Sequence, residues 1–280
     1  YEEAFSIFLP LANDNNPIAM YYIGLCFRKG CFVEEDQKEA FRWFLKSAEQ
    51  GHSEAQYLIG LAYLHYSGLY GGTESEDDFP IHFQDIEISV FDHNVPYYFA
   101  QGIGVEPNDE KALMWFLRAS EKNHAKAQYE LGKMYQGGNV VAYNDDQAIK
   151  WFEISVNQKN SNAALGLARI YEYQKKEDLA IEWYEKAIDL GSKEAPFRLG
   201  SFYEISSKKS HDLSKAFKWY KYGSEKYNDY RSQQRLARLY KYGLGIEQNT
   251  NEALKWYMKS AEQNSEGACY VLGILYLFGS

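Results

Sequence analysis

The chain has 280 residues, 45% of them hydrophobic and 17% aromatic, with three cysteines and a net charge of −9. That composition excludes disorder, three cysteines exclude a disulfide framework, and the acidic balance argues against general nucleic-acid binding. No run has the length of a membrane span and no N-terminal signal is visible, so direct membrane insertion is not expected.

Two motifs alternate along the chain and predict alternating helices, denoted A and B. The residues from Tyr1 read as a helix B. Helix A follows from Ala19, with Gly24 five residues on and Phe27 eight on; helix B follows with Ala40-x-x-Trp43. The next helix A carries Ala55, Gly60 and Tyr63. The next A-x-x-W is Ala112 to Trp115, 60 residues after Ala55 where 24 are expected. From there the alternation is regular: Ala127, Gly132 and Tyr135, then Ala148 and Trp151; Ala163 with Ala168, then Ala180 and Trp183. It continues with Ala195, Gly200 and Tyr203, then Ala216 and Trp219; Ser232 with Ala237, then Ala253 and Trp256; and a last helix A from Ala268 with Gly273. All six tryptophans occupy one slot, at spacings of 72, 36, 32, 36 and 37 residues, the signature of stacked helix pairs. Offsets of three, five and eight put small residues and an aromatic near one helical face, where neighbouring helices approach closely. Ser280 follows a helix A that lacks its partner and Tyr1 is not an initiator methionine, so the chain reads as an excised fragment.

The turns agree with the faces. Asp36, Asn108, Asn144, Asp212 and Asn249 stand four residues before the A-x-x-W alanine, where a side chain caps a helix start. Asp36 with Glu39, Asn144 with Gln147 and Asn249 with Glu252 have capping-box spacing. Gly51, Asn123, Gly191 and Asn264, eight residues past a tryptophan, suit a left-handed residue after helix B.

The segment Gly102-Ile-Gly-Val-Glu-Pro-Asn-Asp-Glu-Lys-Ala-Leu-Met-Trp115, its near copy Gly243 to Trp256, and Ala55-Gln-Tyr-Leu-Ile-Gly-Leu-Ala-Tyr63 resemble the Sel1-like repeat, a relative of the tetratricopeptide repeat. The resemblance covers nearly the whole chain. It implies an all-α fold, a right-handed α-α solenoid of six to seven helix-turn-helix repeats over residues 1–280. It also implies a non-catalytic scaffold or adaptor for a protein or peptide partner, either in membrane-protein quality control or in bacterial host interaction. The reading from another class is a regulatory module that activates or inhibits an enzyme, in cis or in trans. Some secreted Sel1-like proteins staple each repeat with a cysteine pair. Here Cys26 takes an apolar helix A slot and is expected to be a buried thiol, Cys31 follows in a loop at a spacing that leaves a bridge open, and no N-x-S/T sequon occurs. A reducing compartment is expected.

Two departures from the pattern bear on function. The extra residues between Ala55 and Ala112 do not thread as a repeat: Phe91 would take the alanine slot, Pro96 the glycine slot, and Phe79-Pro80 would fall inside helix B. Residues 69–99 therefore read as an acidic insertion between a helix A ending near Gly68 and a turn resuming at Gly102. From Ser47 to Glu110 there are twelve carboxylates and no lysine or arginine, a window of −12 that leaves +3 for the rest of the chain. Such a loop is either solvated or in contact with a partner or cation. Four histidines, His52, His65, His82 and His93, fall in this region. His82, Asp85, Asp92 and His93 lack the helical spacing that fixes a metal's geometry, so no metal site is expected.

The second departure is a set of cations on later helices A. Lys133, Arg169, Arg198, Arg235 and Arg238 stand three or six residues after the start of the A motif, flanked by Tyr171, Tyr173 and Tyr242. Helices A line the concave wall in solenoids of this type, so these residues form a candidate site for an acidic or phosphorylated partner. The competing reading is local ion pairing to Glu130, Glu172 or Glu204. No catalytic residue or cofactor is expected: P-loop, G-x-S-x-G, H-E-x-x-H and Cys-His patterns are missing, and Ser206 with Lys209 has no K-T-G element to complete a site.

Overall fold

A helix pair forms when the first backbone N–H groups of one helix find acceptors at the end of the other, and that happens here at every A-to-B turn. The computed structural model describes residues 2–64, 105–138, 140–205 and 212–278. Among them are fourteen helices and no strand. They are α1 (Glu2–Asn13), α2 (Pro17–Lys29), α3 (Gln37–Glu49), α4 (Ser53–Tyr63), α5 (Asp109–Glu121), α6 (Ala125–Gly137) and α7 (Asp145–Asn157). The rest are α8 (Ser161–Tyr173), α9 (Glu177–Asp189), α10 (Ala195–Ile205), α11 (Leu213–Lys226), α12 (Tyr230–Tyr242), α13 (Thr250–Ala261) and α14 (Glu266–Phe278). The chain is all-α as expected, and α2 through α13 are six A–B pairs. It divides into two compact units, Tyr1–Ala163 and Ala164–Ser280.

In the first unit α2 packs on α3, α4 on α5 and α6 on α7, each pair touching the next. In the second unit α10 packs on α11 and α12 on α13, and the successive helices A α10 and α12 also touch. At each turn the N–H of the residue opening helix B donates to the carbonyl of the aromatic eight residues into the A motif. The bonds are Asp36 to Phe27 (2.9 Å), Asn108 to Tyr63 (2.7 Å), Asn144 to Tyr135 (3.0 Å), Lys176 to Tyr171 (2.9 Å), Asp212 to Tyr203 (2.9 Å) and Asn249 to Tyr240 (2.9 Å). The cap side chains behave as predicted: Oδ1 of Asp36, Asn108, Asn144, Asp212 and Asn249 accepts from the first-turn amides of its helix. The reciprocal half of the capping boxes is not formed, because the cap N–H it would use is committed to helix A. Glu39 and Glu252 turn instead to Arg42 and Lys255.

In three pairs the other end is pinned by a serine of helix B, whereas Ser120 and Ser224, one slot later, bond within their own helix. Ser47 Oγ donates to Pro17 O (2.6 Å), Ser155 Oγ to Ala125 O (2.6 Å) and Ser260 Oγ to Tyr230 O (2.9 Å). Helix B then stops on a left-handed residue: Gly51, Asn123, Gly191 and Asn264 have φ of 87°, 64°, 89° and 61°. Between the two pins the faces meet at the A-motif glycine. A Cβ on Gly24, Gly60, Gly132 or Gly200 would lie 2.7, 2.5, 2.4 or 2.7 Å from a ring carbon of Phe44, Phe116, Phe152 or Tyr220. The residue that fills this space is therefore the one after the tryptophan. Phe44, Phe116, Phe152, Tyr184 and Tyr220 are all almost completely enclosed. Of the six tryptophans, which the shared slot suggests are largely buried, Trp43, Trp115 and Trp256 are fully buried and Trp151, Trp183 and Trp219 partly so. Cys26, Cys31 and Cys269 are free thiols, and Cys26 is half-buried rather than enclosed.

The insertion expected at residues 69–99, with Gly68 and Gly102 at its ends, lies outside the described residues, as do His65, His82, His93 and the Ser206–Lys209 pair. Its flanks are described: α4 ends at Tyr63, and the Tyr63–Asn108 bond closes the turn as in the other pairs.

Phe152→Ala should cost about 3–5 kcal/mol, the range for a large buried ring. Trp151→Ala should cost less, since its ring is only partly buried against the core. Urea unfolding of the two variants checks the order; a larger loss for Trp151→Ala contradicts the assignment of the pair's core to the residue after the tryptophan.

His52 and His124 start two helices A, their Nδ1 atoms accepting from Ala55 N and Ala127 N at 3.2 Å. Acceptance requires an unprotonated Nδ1. His52 lies against the Tyr21 ring (4.7 Å between centroids), and burial lowers its pKa below the ordinary 6.5. A folded-state pKa below the unfolded value gives stability that is complete above about pH 6.5 and lost as pH falls through the folded value. His52→Asn retains a cap of the kind Asn16 provides. It should flatten part of the fall in melting temperature between pH 7 and 5, and an unaltered pH profile would refute the cap's titration.

Candidate functional site

The predicted cations occupy equivalent helix A slots but not equivalent surroundings. Lys133, on α6 in the first unit, pairs with Glu130 one turn earlier at 3.0 Å, and its ammonium lies 5.1 Å from the Tyr129 ring centroid. The other four are in the second unit. Arg169 on α8 is exposed. Arg198 on α10 pairs through Nε with Glu194, the residue just before that helix. Arg235 and Arg238 of α12 converge on Glu204 of α10, Arg235 Nη1 at 4.0 Å and Arg238 Nη2 in direct contact. Tyr171 is half-buried with the Lys176 ammonium 5.6 Å above its ring, while Tyr173 and Tyr242 project into solvent.

Glu204 is the centre of this arrangement and is not prominent in the sequence. Its side chain is 6% exposed. Tyr220 Oη donates to its Oε2 at 2.6 Å, and Ser201 Oγ lies 3.1 Å from the same hydroxyl. The preceding repeat repeats the theme with Tyr184 Oη donating to Glu172 Oε2. Burial, followed by the charge of Glu172, drives the Tyr184 pKa far up; burial also raises that of Tyr220. Both hydroxyls thus remain protonated donors. The signal was in the residue after each tryptophan: Phe44, Phe116 and Phe152 in the first unit, Tyr184, Tyr220 and Tyr257 in the second. A tyrosine there brings a hydroxyl into the pair and the hydroxyl needs an acceptor; at Tyr220 the acceptor, Glu204, in turn meets arginines of the next helix A.

Lys133, Arg235 and Arg238 thus make ion pairs with Glu130 and Glu204, two of the carboxylates the competing reading named, while Arg198 pairs with Glu194, which it did not. Two guanidinium groups share the single Glu204 carboxylate, which leaves one positive charge in excess. Arg235 and Arg238 are therefore half structural, and reversing their charge will not be neutral to stability as it would be for freely solvated arginines. Arg238→Ala should cost about 1–3 kcal/mol, the penalty for stripping a partner from a buried charged group, and Glu204→Gln in the same background should recover part of it. Thermal denaturation of the single and double variants checks the coupling; strictly additive losses would deny it.

Among the described residues no three His, Cys, Asp or Glu side chains are grouped as a metal would need, and no helix is long and apolar enough to cross a membrane. Asp85 and Asp92, like His82 and His93, lie outside the described residues.

A family model, that of the Sel1 repeat, matches residues 17–52, 53–78, 97–124, 125–160, 161–192, 194–228, 231–265 and 267–280. The matches at 53–78 and 97–124 carry α4 and α5, the two halves of one helix pair. No curated protein matches the chain. Among solved structures the chain is similar to c5321, a protective antigen present in uropathogenic Escherichia coli strains and displaying an SLR fold. The TM-score is 0.74 at 24% identity, covering 97% of this chain and 51% of that one, so the chain spans about half the length of that relative. It is also similar to a Sel1 repeat protein from Oxalobacter formigenes, with a TM-score of 0.70 at 24% identity and 94% of both chains covered.

Proposed function

The chain belongs to the Sel1 repeat family, and on that premise we propose that it is a non-catalytic scaffold or adaptor whose second unit binds an acidic or phosphorylated segment of a protein partner. Sel1 repeats generally mediate protein–protein interaction, so the finer question is which face carries it. The observation that favours the helix A face of residues 164–280 is the surplus of guanidinium over carboxylate around Glu204, with exposed Arg169 and the exposed rings of Tyr173 and Tyr242 on the same helices. Arginine holds carboxylate and phosphate through a planar fork, and aromatic neighbours add apolar contact at low entropic cost. Lys133, already committed to Glu130, contributes less. Residues 69–99 belong to this reading as an acidic insertion in the α4–α5 turn. The Tyr63–Asn108 bond joins the described residues on either side of it.

A partner captured by affinity pull-down should bind more weakly as salt rises, because exposed charges are screened. Arg169→Glu combined with Arg235→Glu should weaken it by about tenfold or more, a change of roughly 1.4 kcal/mol or greater. Unchanged affinity of that variant, or a partner rich in lysine and arginine, would move the site to the acidic window.

A further inference from the structure

The basic slots of the second unit have an apolar slot beside them. Counting from the residue that opens the A motif, the tenth residue on is Tyr173 in α8, Ile205 in α10 and Tyr242 in α12. Their exposures are 79%, 73% and 60%. Outside α14 these are the three most exposed large apolar side chains among the described residues. Position alone explains part of this, since each is the last residue of its helix and sits at the turn rim. It does not explain the residue type: in the first unit the same slot holds Lys29 and Gly137, which lose nothing in water. A large apolar side chain left in water at one slot of three successive helices A forgoes the burial it would have in contact with a partner. The slot also lies four residues after Arg169, Ser201 and Arg238, so in α8 and α12 an arginine and an exposed ring are neighbours on one helical face. In α10 the arginine is one turn further back, at Arg198.

We propose that these residues form two parallel rows that read an extended segment of the partner. Tyr173, Ile205 and Tyr242 take apolar side chains, and Arg169, Arg198 and the Arg235–Arg238 pair take the carboxylates between them. This rests on the reading of the second unit as the binding face and adds a requirement for apolar residues in the ligand. Charge complementarity selects an acidic occupant, because the row beside the apolar slot carries more guanidinium than carboxylate. Geometry selects an extended one. Successive helices A in contact, as α10 and α12 are, lie about 8–10 Å apart, a step that roughly three residues of extended chain cover. The ligand pattern is accordingly an apolar residue at every third position with acids between.

Fluorescence anisotropy with the full chain and three fluorescein-labelled peptides tests this. The peptides repeat Leu-Glu-Ser, Ser-Glu-Ser or Leu-Lys-Ser. The Leu-Glu-Ser peptide should bind about tenfold or more tightly than Ser-Glu-Ser, which corresponds to roughly 1.4 kcal/mol, and Leu-Lys-Ser should not bind. The variant Tyr173→Ser, Ile205→Ser, Tyr242→Ser should keep its melting temperature, bring Leu-Glu-Ser down to the affinity of Ser-Glu-Ser, and leave Ser-Glu-Ser unchanged. Arg169→Glu with Arg235→Glu should weaken both acidic peptides. Equal affinity for the two acidic peptides, or full Leu-Glu-Ser affinity in the serine variant, overturns the apolar row while leaving the acidic-segment reading in place. If the arginine variant alters neither peptide, the binding face itself is misassigned and both readings fall.

Discussion

Each helix pair depends on one backbone hydrogen bond, from the first residue of helix B to the carbonyl of the aromatic that ends the packing face of helix A. It satisfies one of the orphan amides that every helix start presents and one of the orphan carbonyls that every helix end presents. Because both groups belong to the backbone, the bond survives changes of side chain. The α8–α9 turn makes it through Lys176, which supplies no side-chain cap. With the turn fixed, the serine pin in three pairs and the glycine under the buried ring in four set the angle and depth of the contact. The side chains between are then free to differ.

The most consequential difference is the change from phenylalanine to tyrosine in the fully enclosed slot. In the first unit the slot is only packing: a ring lies on a glycine, and nothing polar enters. In the second the ring carries a hydroxyl into a space where an unsatisfied donor costs more than the bond gains. Glu172 and Glu204 answer the hydroxyls, and the arginines of the next helix A answer Glu204. At Tyr220 one added oxygen atom thus propagates through Glu204 to the charge distribution of the surface. The arginines serve two ends: they balance buried carboxylates, and their surplus faces solvent.

Much of this was legible in the residues. Six tryptophans in one slot, the small residues at fixed offsets and the cap types gave the helix order, the turns and the left-handed stops. Capping-box spacing misled, because the sequence does not show that the cap N–H already has an acceptor in another helix. The tryptophan slot misled in a different way. It is the most recognisable feature of the repeat, yet the enclosed residue is its neighbour, whose identity varies between Phe and Tyr and so draws less attention. Glu204 was readable only as a possible local partner of an arginine. That two arginines and a tyrosine hydroxyl meet on it follows from the stacking of one pair on the next, a relation no single repeat contains.

The same separation explains why the family is plain and the partner is not. Offsets zero, five and eight of helix A are held by contacts inside and between pairs, so small residues and an aromatic recur there. Offsets three, six and ten vary more, from Leu58, Leu61 and Glu130, which are buried in the first unit, to Arg198, Arg238 and Tyr242 in the second. Where such a slot reaches the surface, as at Arg169 and Tyr242, a repeat can change its outward contacts without altering the small residue and ring beneath. In this chain those slots are apolar or self-paired in the first unit and basic beside exposed apolar groups in the second. The proposed site for an acidic segment is thus in the half whose enclosed rings are tyrosines.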